Sequence, residues 1–200
     1  MSHTRRQILF LLLLFASFSL VYSSVAYYAL SRPPAQEFMA WGIFSPSGTL
    51  SRYFSGSEAN VTVGKVLNWH LAITNKMGSI QYVQVIYRLG NGTSADPSAS
   101  VPASSIPPLG NSSVFIPNEE TALLNFTWSI SNKTRGGMVF LNMTINGRQV
   151  SPSVGAVRGQ KFRFFFELWT YDVGSNSFQY GYKGQNSWVG VPLQVWFNSL

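Results

Sequence analysis

Two hydrophobic periods divide the chain. From Ile8 to Leu30 there are 23 residues without a charge, preceded by Arg5-Arg6 and followed by Arg32-Pro33-Pro34. As a helix this stretch would be about 34 Å long, enough to cross a hydrocarbon core of roughly 30 Å. A lone segment in hydrocarbon must satisfy its backbone internally, so an α-helix is the form expected. Past Pro34 the period falls to two. Leu67, Trp69, Leu71 and Ile73 alternate with Asn68, His70, Ala72 and Thr74, and Val83, Val85, Tyr87 and Leu89 alternate with Gln84, Ile86 and Arg88. The same holds for Leu124 to Ile130, for Val139 to Ile145, and for a final strand through Val189, Val191, Leu193, Val195 and Phe197. Such alternation predicts strands with one buried and one wet face.

Turn residues separate these runs. Asn146-Gly147 suits a hairpin, and Gly90-Asn91-Gly92 and Gly174-Ser175-Asn176 tolerate positive φ. The expectation is an all-β, Ig-like antiparallel two-sheet sandwich of about seven to nine strands, preceded by a single N-terminal transmembrane α-helix. Phe162 to Tyr171 is almost continuously apolar or aromatic, which predicts a central strand covered on both faces. Pro192 points to an edge or a bulge in the last strand. Residues 91–112, rich in Ser, Pro and Ala, read as a long loop bulging from the sandwich. The organisation is a cytoplasmic flank over 1–7, a membrane anchor over 8–30, a linker over 31–36 and an extracytoplasmic domain over 37–200.

Orientation follows from charge. The paired arginines ahead of the span favour an N-terminus inside, which sends the domain outside the cell. The alternative is a cleaved signal peptide with an apolar centre over Ile8 to Val21 and small residues at Ser24-Val25-Ala26. The continuing run Tyr27-Tyr28-Ala29-Leu30 favours retention, and both readings export the domain.

Six Asn-X-Ser/Thr acceptors, at Asn60, Asn91, Asn111, Asn125, Asn132 and Asn142, exceed the two or three that roughly follow from composition by chance. Strand parity sets Asn60, Asn125 and Asn142 on wet faces and leaves Asn91, Asn111 and Asn132 in turns. N-glycosylation of an exported domain is therefore expected.

Charged residues are only 10% of the chain, so Ser, Thr, Asn, Gln and Gly must supply most of the polar surface. The net charge is +7; without Arg5 and Arg6 it is +5, scattered and without a basic stripe, so no nucleic-acid partner is expected. With no cysteine, thiolate metal sites and thiol nucleophiles are excluded. His3 and His70 are the two histidines, too few for a clustered copper site. No cofactor and no metal are expected, and no Gly-X-Ser-X-Gly elbow frames a serine nucleophile.

Glu167, in Phe165-Phe166-Glu167-Leu168-Trp169, is the most notable carboxylate. It reads either as a cross-strand ion pair with Arg163 or another arginine, or as half of a carbohydrate-active carboxylate pair. Trp41, Tyr171, Tyr180, Tyr182, Trp188 and Trp196 are the aromatics available for a partner surface. Trp196, on the off-face parity of the terminal strand, is singled out with Trp188 and Tyr182 as possible interaction residues.

Short motifs run through the exported half: Glu37-Phe38, Ile43-Phe44-Ser45-Pro46-Ser47-Gly48, Val61-Thr62-Val63-Gly64, Trp69 to Asn75, Tyr82-Val83-Gln84-Val85 and Phe164 to Trp169. In these the chain resembles an uncharacterised archaeal membrane-protein family, the domain of unknown function family 1616. The resemblance implies an envelope protein with an external sandwich, and no catalytic residues to carry over. The function expected is a non-catalytic cell-envelope module that meets a protein or glycan partner at the surface. The alternatives are an accessory subunit whose helix packs through Ala16, Ser17, Ser19, Ser23, Ser24 and Ala26, and an external carbohydrate-active enzyme using Glu167.

Overall fold

The computed structural model describes residues 3–31, 37–54, 56, 58–103, 105–184 and 187–200, with side chains from Arg5 onward. The expected linker lies almost wholly outside the described residues, as does the side chain of His3. Two compact units divide between Gln36 and Glu37.

The first unit contains one α-helix, α1 (His3–Leu30), which begins in the charged flank five residues ahead of the expected span. Its stretch Arg5–Leu30 is long and apolar enough to cross a membrane. Ser17, Ser23 and Ser24 donate their hydroxyls to the carbonyls of Leu13, Ser19 and Leu20, one turn back, at 2.7–2.8 Å. These serines therefore need no second helix to satisfy them.

In the second unit the strands are β1 (Phe38–Phe44), β2 (Asn60–Val61), β3 (Val66–Lys76), β4 (Gln81–Asn91) and β5 (Pro108–Ile116). There follow β6 (Thr121–Lys133), β7 (Met138–Ile145), β8 (Arg148–Val150), β9 (Gly155–Val157) and β10 (Phe162–Asp172). The last are β11 (Ser177–Tyr180), β12 (Tyr182–Lys183), β13 (Trp188–Val189) and β14 (Leu193–Ser199). One sheet runs β1-β3-β6-β7-β8 with β9 also on β7; the other runs β2-β14-β10-β4-β5 with β11 on β10. Ladders are antiparallel except at β2, which lies parallel to the end of β14. The domain is an all-β, Ig-like two-sheet sandwich.

The alternating residues fill the space between the sheets. Trp69, Phe126 and Trp128 from the first sheet meet Phe164 and Phe166 from the second, and all five are fully buried. Trp69 is the hub, with its ring centroid 5.2–6.3 Å from those of Tyr53, Phe54, Phe126, Trp128, Phe164 and Phe166. Its indole N–H donates to the Tyr53 carbonyl at 2.9 Å, so the polar edge of the ring is satisfied within the core.

Three expectations are corrected. Fourteen strands are found among the described residues in place of seven to nine, because pieces of two to four residues such as β2, β8, β9, β12 and β13 are too short to show a period. The single terminal strand is two: Trp188–Val189 pairs with Tyr182–Lys183, and Leu193–Ser199 pairs with β10. The break falls at Gly190-Val191-Pro192, where the Gly190 N–H leaves the ladder to donate to Ala99 O at 2.6 Å and Pro192 has no N–H to give. The third concerns residues 91–112: Asn91 ends β4, the last five residues belong to β5, and Ala103 and Ile106 between them are buried against the sandwich.

Candidate functional site

The outer face of the second sheet is organised by β10. Phe162, Phe164, Phe166, Leu168 and Thr170 point into the sandwich, and Arg163, Phe165, Glu167, Trp169 and Tyr171 point away from it. The strand is mostly apolar or aromatic on both faces because most of this outer face is also covered. Ala103 and Ile106 pack on Phe165 as a second small core. Gly90 is required beneath this cover, since a Cβ there would lie 2.5 Å from the Phe165 ring and 2.8 Å from the Ser94 hydroxyl.

Glu167 fastens the cover. One carboxylate oxygen accepts the Ala103 N–H at 2.5 Å. The other accepts Arg88 Nε at 3.1 Å and Trp169 Nε1 at 3.2 Å. Glu167 is fully buried, and Arg88 also donates to the Ile106 carbonyl. The ion pair foreseen for Glu167 is thus made with Arg88 of β4, not with Arg163. With three donors and no solvent access, this carboxylate is engaged as a structural contact that holds the cover to β10.

Arg163, the next outward residue but one, has a different task. It pairs with Asp96 and donates to the Ser94 carbonyl and, at 3.0 Å, to Gln194. Its guanidinium carbon sits 4.3 Å from the Phe165 ring centre and 4.4 Å from that of Trp196. Trp196 is therefore a cation–π partner at the edge of the covered zone, 42% exposed. Tyr180 closes the other side by donating its hydroxyl to Ser98 O at 2.8 Å. Burial, with the Glu167 charge adding to it, pushes the Tyr180 phenol up to about 12.

Beyond Trp169 the cover ends and an aromatic surface is left open. Tyr82 and Phe115 are register partners on β4 and β5, with rings stacked at 4.2 Å and 14°. Tyr171 and Phe178 are register partners on β10 and β11, 5.4 Å apart, and both contact Tyr82, at 6.1 and 5.1 Å. Phe115 is 63% exposed despite that packing. Tyr82, Phe115 and Tyr171 border an open groove of about 820 Å³ whose walls also include Trp188, Glu37, Asp172 and Lys183, with Phe178 packed behind Tyr82 and Tyr171. Asp172 turns back on its own hairpin: a hydrogen bond from the Ser175 side chain and the N–H groups of Gly174 and Ser175 hold its carboxyl below the usual range.

The three aromatics singled out from sequence are not brought together. Trp188 lines this groove, Tyr182 packs against the main core, and Trp196 lies on Arg163. Of the others, Tyr171 joins the groove, and Trp41 is tied by its indole N–H to Val191 O at 2.7 Å. Tyr82, Phe115 and Phe178 were missed. The available signal was parity: Tyr82 precedes Val83 on the wet side of its strand, where a large aromatic has no core to fill.

The outer face of the first sheet is a carpet of hydroxyls and amides. Asn68–Thr127, His70–Asn125, Thr74–Thr121 and Ser131–Thr144 pair across its strands at 2.7–2.9 Å. Asn125, Asn132 and Asn142 all open onto it, with Asn132 and Asn142 directly opposite each other. Asn111 and Asn132, expected in turns, lie in β5 and β6, both exposed. Asn60 is half-buried and donates to Glu58 at 2.5 Å. Asn91 ends β4 and is engaged on both sides of its amide. It donates to Gly155 O at 2.7 Å and accepts from the backbone N–H of Thr93 and the hydroxyls of Thr93 and Ser94. Among the described residues no three His, Asp or Glu side chains gather as a metal site would require.

No family model matches the chain, and no curated protein matches it. Several solved structures resemble it distantly, at low identity. A CARDB domain from Pyrococcus furiosus, solved in complex with di-metal ions, is 10% identical with a TM-score of 0.38, over 83% of this chain and 90% of that one. A β-glucosidase of Erythrobacter marinus is 11% identical with a TM-score of 0.34, over 82% of this chain and 16% of the enzyme. The alkylpurine DNA glycosylase AlkC of Pseudomonas fluorescens, bound to DNA, is 13% identical with a TM-score of 0.29, over 61% and 31%. Likenesses this distant carry nothing about ligand or activity.

Proposed function

We propose that this protein is a membrane-tethered, non-catalytic interaction module whose sandwich is held outside the cell and meets a surface partner through the aromatic groove. The observation that carries this reading is the contrast within one sheet face. From Arg163 to Glu167 the outer face is sealed by its own chain, while Phe115 stays 63% exposed and Tyr82, Tyr171 and Phe178 beside it are only half-buried. Leaving such a cluster of rings partly uncovered is costly for a lone domain, and such patches mark contact surfaces. The single apolar helix and the arginine pair ahead of it support the tether and its orientation. N-glycans belong to the same reading, on the polar outer face of the first sheet at Asn125, Asn132 and Asn142 and at exposed Asn111 on the second.

The test is affinity capture of the tagged full chain from native membranes after mild detergent, in parallel with Phe115→Ala. Phe115 is mostly exposed, so its loss leaves the core intact. A partner held in stoichiometric amount by the parent and lost from Phe115→Ala supports the reading. Equal retention by both chains refutes the groove as the contact surface.

A further inference from the structure

The groove also bears on what class of molecule would fill it, an inference that rests on the reading above. We infer that it is a subsite for a neutral oligosaccharide. Three observations lead there. The Phe115 ring is backed on one face by Tyr82 at 4.2 Å, nearly parallel, so it is held flat and cannot swing away when a ligand arrives. Tyr82 is itself braced by Tyr171 and Phe178. A fixed ring face that meets solvent suits the flat C–H face of a pyranose, which needs a planar apolar platform and little ordering on binding.

The second observation is the polar part of the walls. Glu37, Asp172 and Lys183 bring acceptors and a donor into the same space as the rings. Asp172 stays ionised and pre-oriented by Ser175 and Gly174, ready to accept from hydroxyls through its remaining lone pairs. Two carboxylates and one ammonium leave a slight negative balance, which disfavours phosphates, sulfates and uronic acids. A purely hydrocarbon ligand would leave these charges unsatisfied.

Third is size. At about 820 Å³ and open to solvent, the groove lies in the range of roughly 300–1,000 Å³ seen for ligand sites, which is room enough for sugar units.

The test uses the full chain in detergent and a defined panel of probes: cellotetraose, maltotetraose, chitotetraose and mannotetraose, each titrated by isothermal calorimetry to roughly 10 mM. Weak binding by at least one, lowered about tenfold or more by Phe115→Ala, is expected, as that substitution removes a central aromatic contact. Leu123→Ala, at an exposed position of β6 on the other sheet, is expected to keep binding within about threefold, a change worth less than 1 kcal/mol. No binding by any probe, or binding indifferent to Phe115→Ala, overturns the inference. The two readings separate cleanly. A negative panel beside a membrane protein partner that Phe115→Ala releases leaves the interaction surface standing and removes the glycan, whereas failure of both removes the groove altogether.

Discussion

Glu167→Gln tests how the covered face is held. The parent carboxylate serves Arg88, Trp169 and the Ala103 N–H, and both it and Arg88 are buried. The amide removes the charge that Arg88 faces and turns one acceptor into a donor aimed at other donors. Breaking a buried pair from one side costs about 3–5 kcal/mol. For a domain of this size each kcal/mol lowers Tm by roughly 2–4 °C, so a fall of roughly 6–20 °C is expected. Because the same carboxylate anchors Ala103 and Arg88 anchors Ile106, the segment between β4 and β5 should also become a protease site well below Tm. The assay is denaturant unfolding of the full chain followed by near-UV circular dichroism, which reads the aromatic core, together with limited proteolysis. Arg88→Met and the double variant complete a cycle. The two single losses should exceed the double by about 0.5–3 kcal/mol, the range for contacting residues. A Glu167→Gln loss under about 1 kcal/mol, or strict additivity in the cycle, would refute the clamp.

Trp69→Ala should destabilise the domain by about 3–5 kcal/mol, since it removes the ring that joins both sheets, and chemical denaturation measures it. Trp196→Ala should cost only about 0.5–2 kcal/mol through the lost guanidinium stacking, and it should leave partner binding unchanged, which separates its packing role from a recognition role. The Tyr180 phenol is raised from about 10 to about 12, so the folded state keeps its proton while the unfolded chain loses it. Stability from this group is complete below pH 10 and lost as the pH rises to about 12, and Tyr180→Phe should flatten that part of the curve. Asn142→Gln should remove one glycan mass from native protein, whereas Asn91→Gln should leave the mass ladder unchanged and lower Tm, because the Asn91 amide is spent on Gly155 and its own turn.

The inner faces of β3, β4, β6 and β7 were legible because each is long enough to show its period, and β10 because a strand covered on both sides must be apolar on both. The Glu167 ion pair was legible as a type of contact. Its partner was not: Arg88 and Glu167 meet through the register of β4 on β10, set by contacts between segments 79 residues apart. The segment after Asn91 was misread for a related reason. Ser, Pro and Ala look solvated, yet Ala103 and Ile106 suffice to seal Phe165 once Ser94, Ser98 and Ala99 supply backbone carbonyls to Arg163, Tyr180 and Gly190. Main-chain contacts of that kind leave no mark on side-chain pattern. The groove was half legible: Trp188 and Tyr171 stood out as aromatics, while Tyr82 and Phe115 come together only when β4 pairs with β5.

The central claim is a sandwich displayed outside the cell on one helix, and the absence of cysteine makes it directly measurable. Single-cysteine chains, Ser2→Cys ahead of the helix and Ser51→Cys on an exposed bend of the domain, would be treated in intact cells with a membrane-impermeant maleimide. Labelling of Ser51→Cys in intact cells, with Ser2→Cys labelled only after permeabilisation, is the predicted result. Labelling of Ser51→Cys only after permeabilisation would place the domain inside and contradict the account.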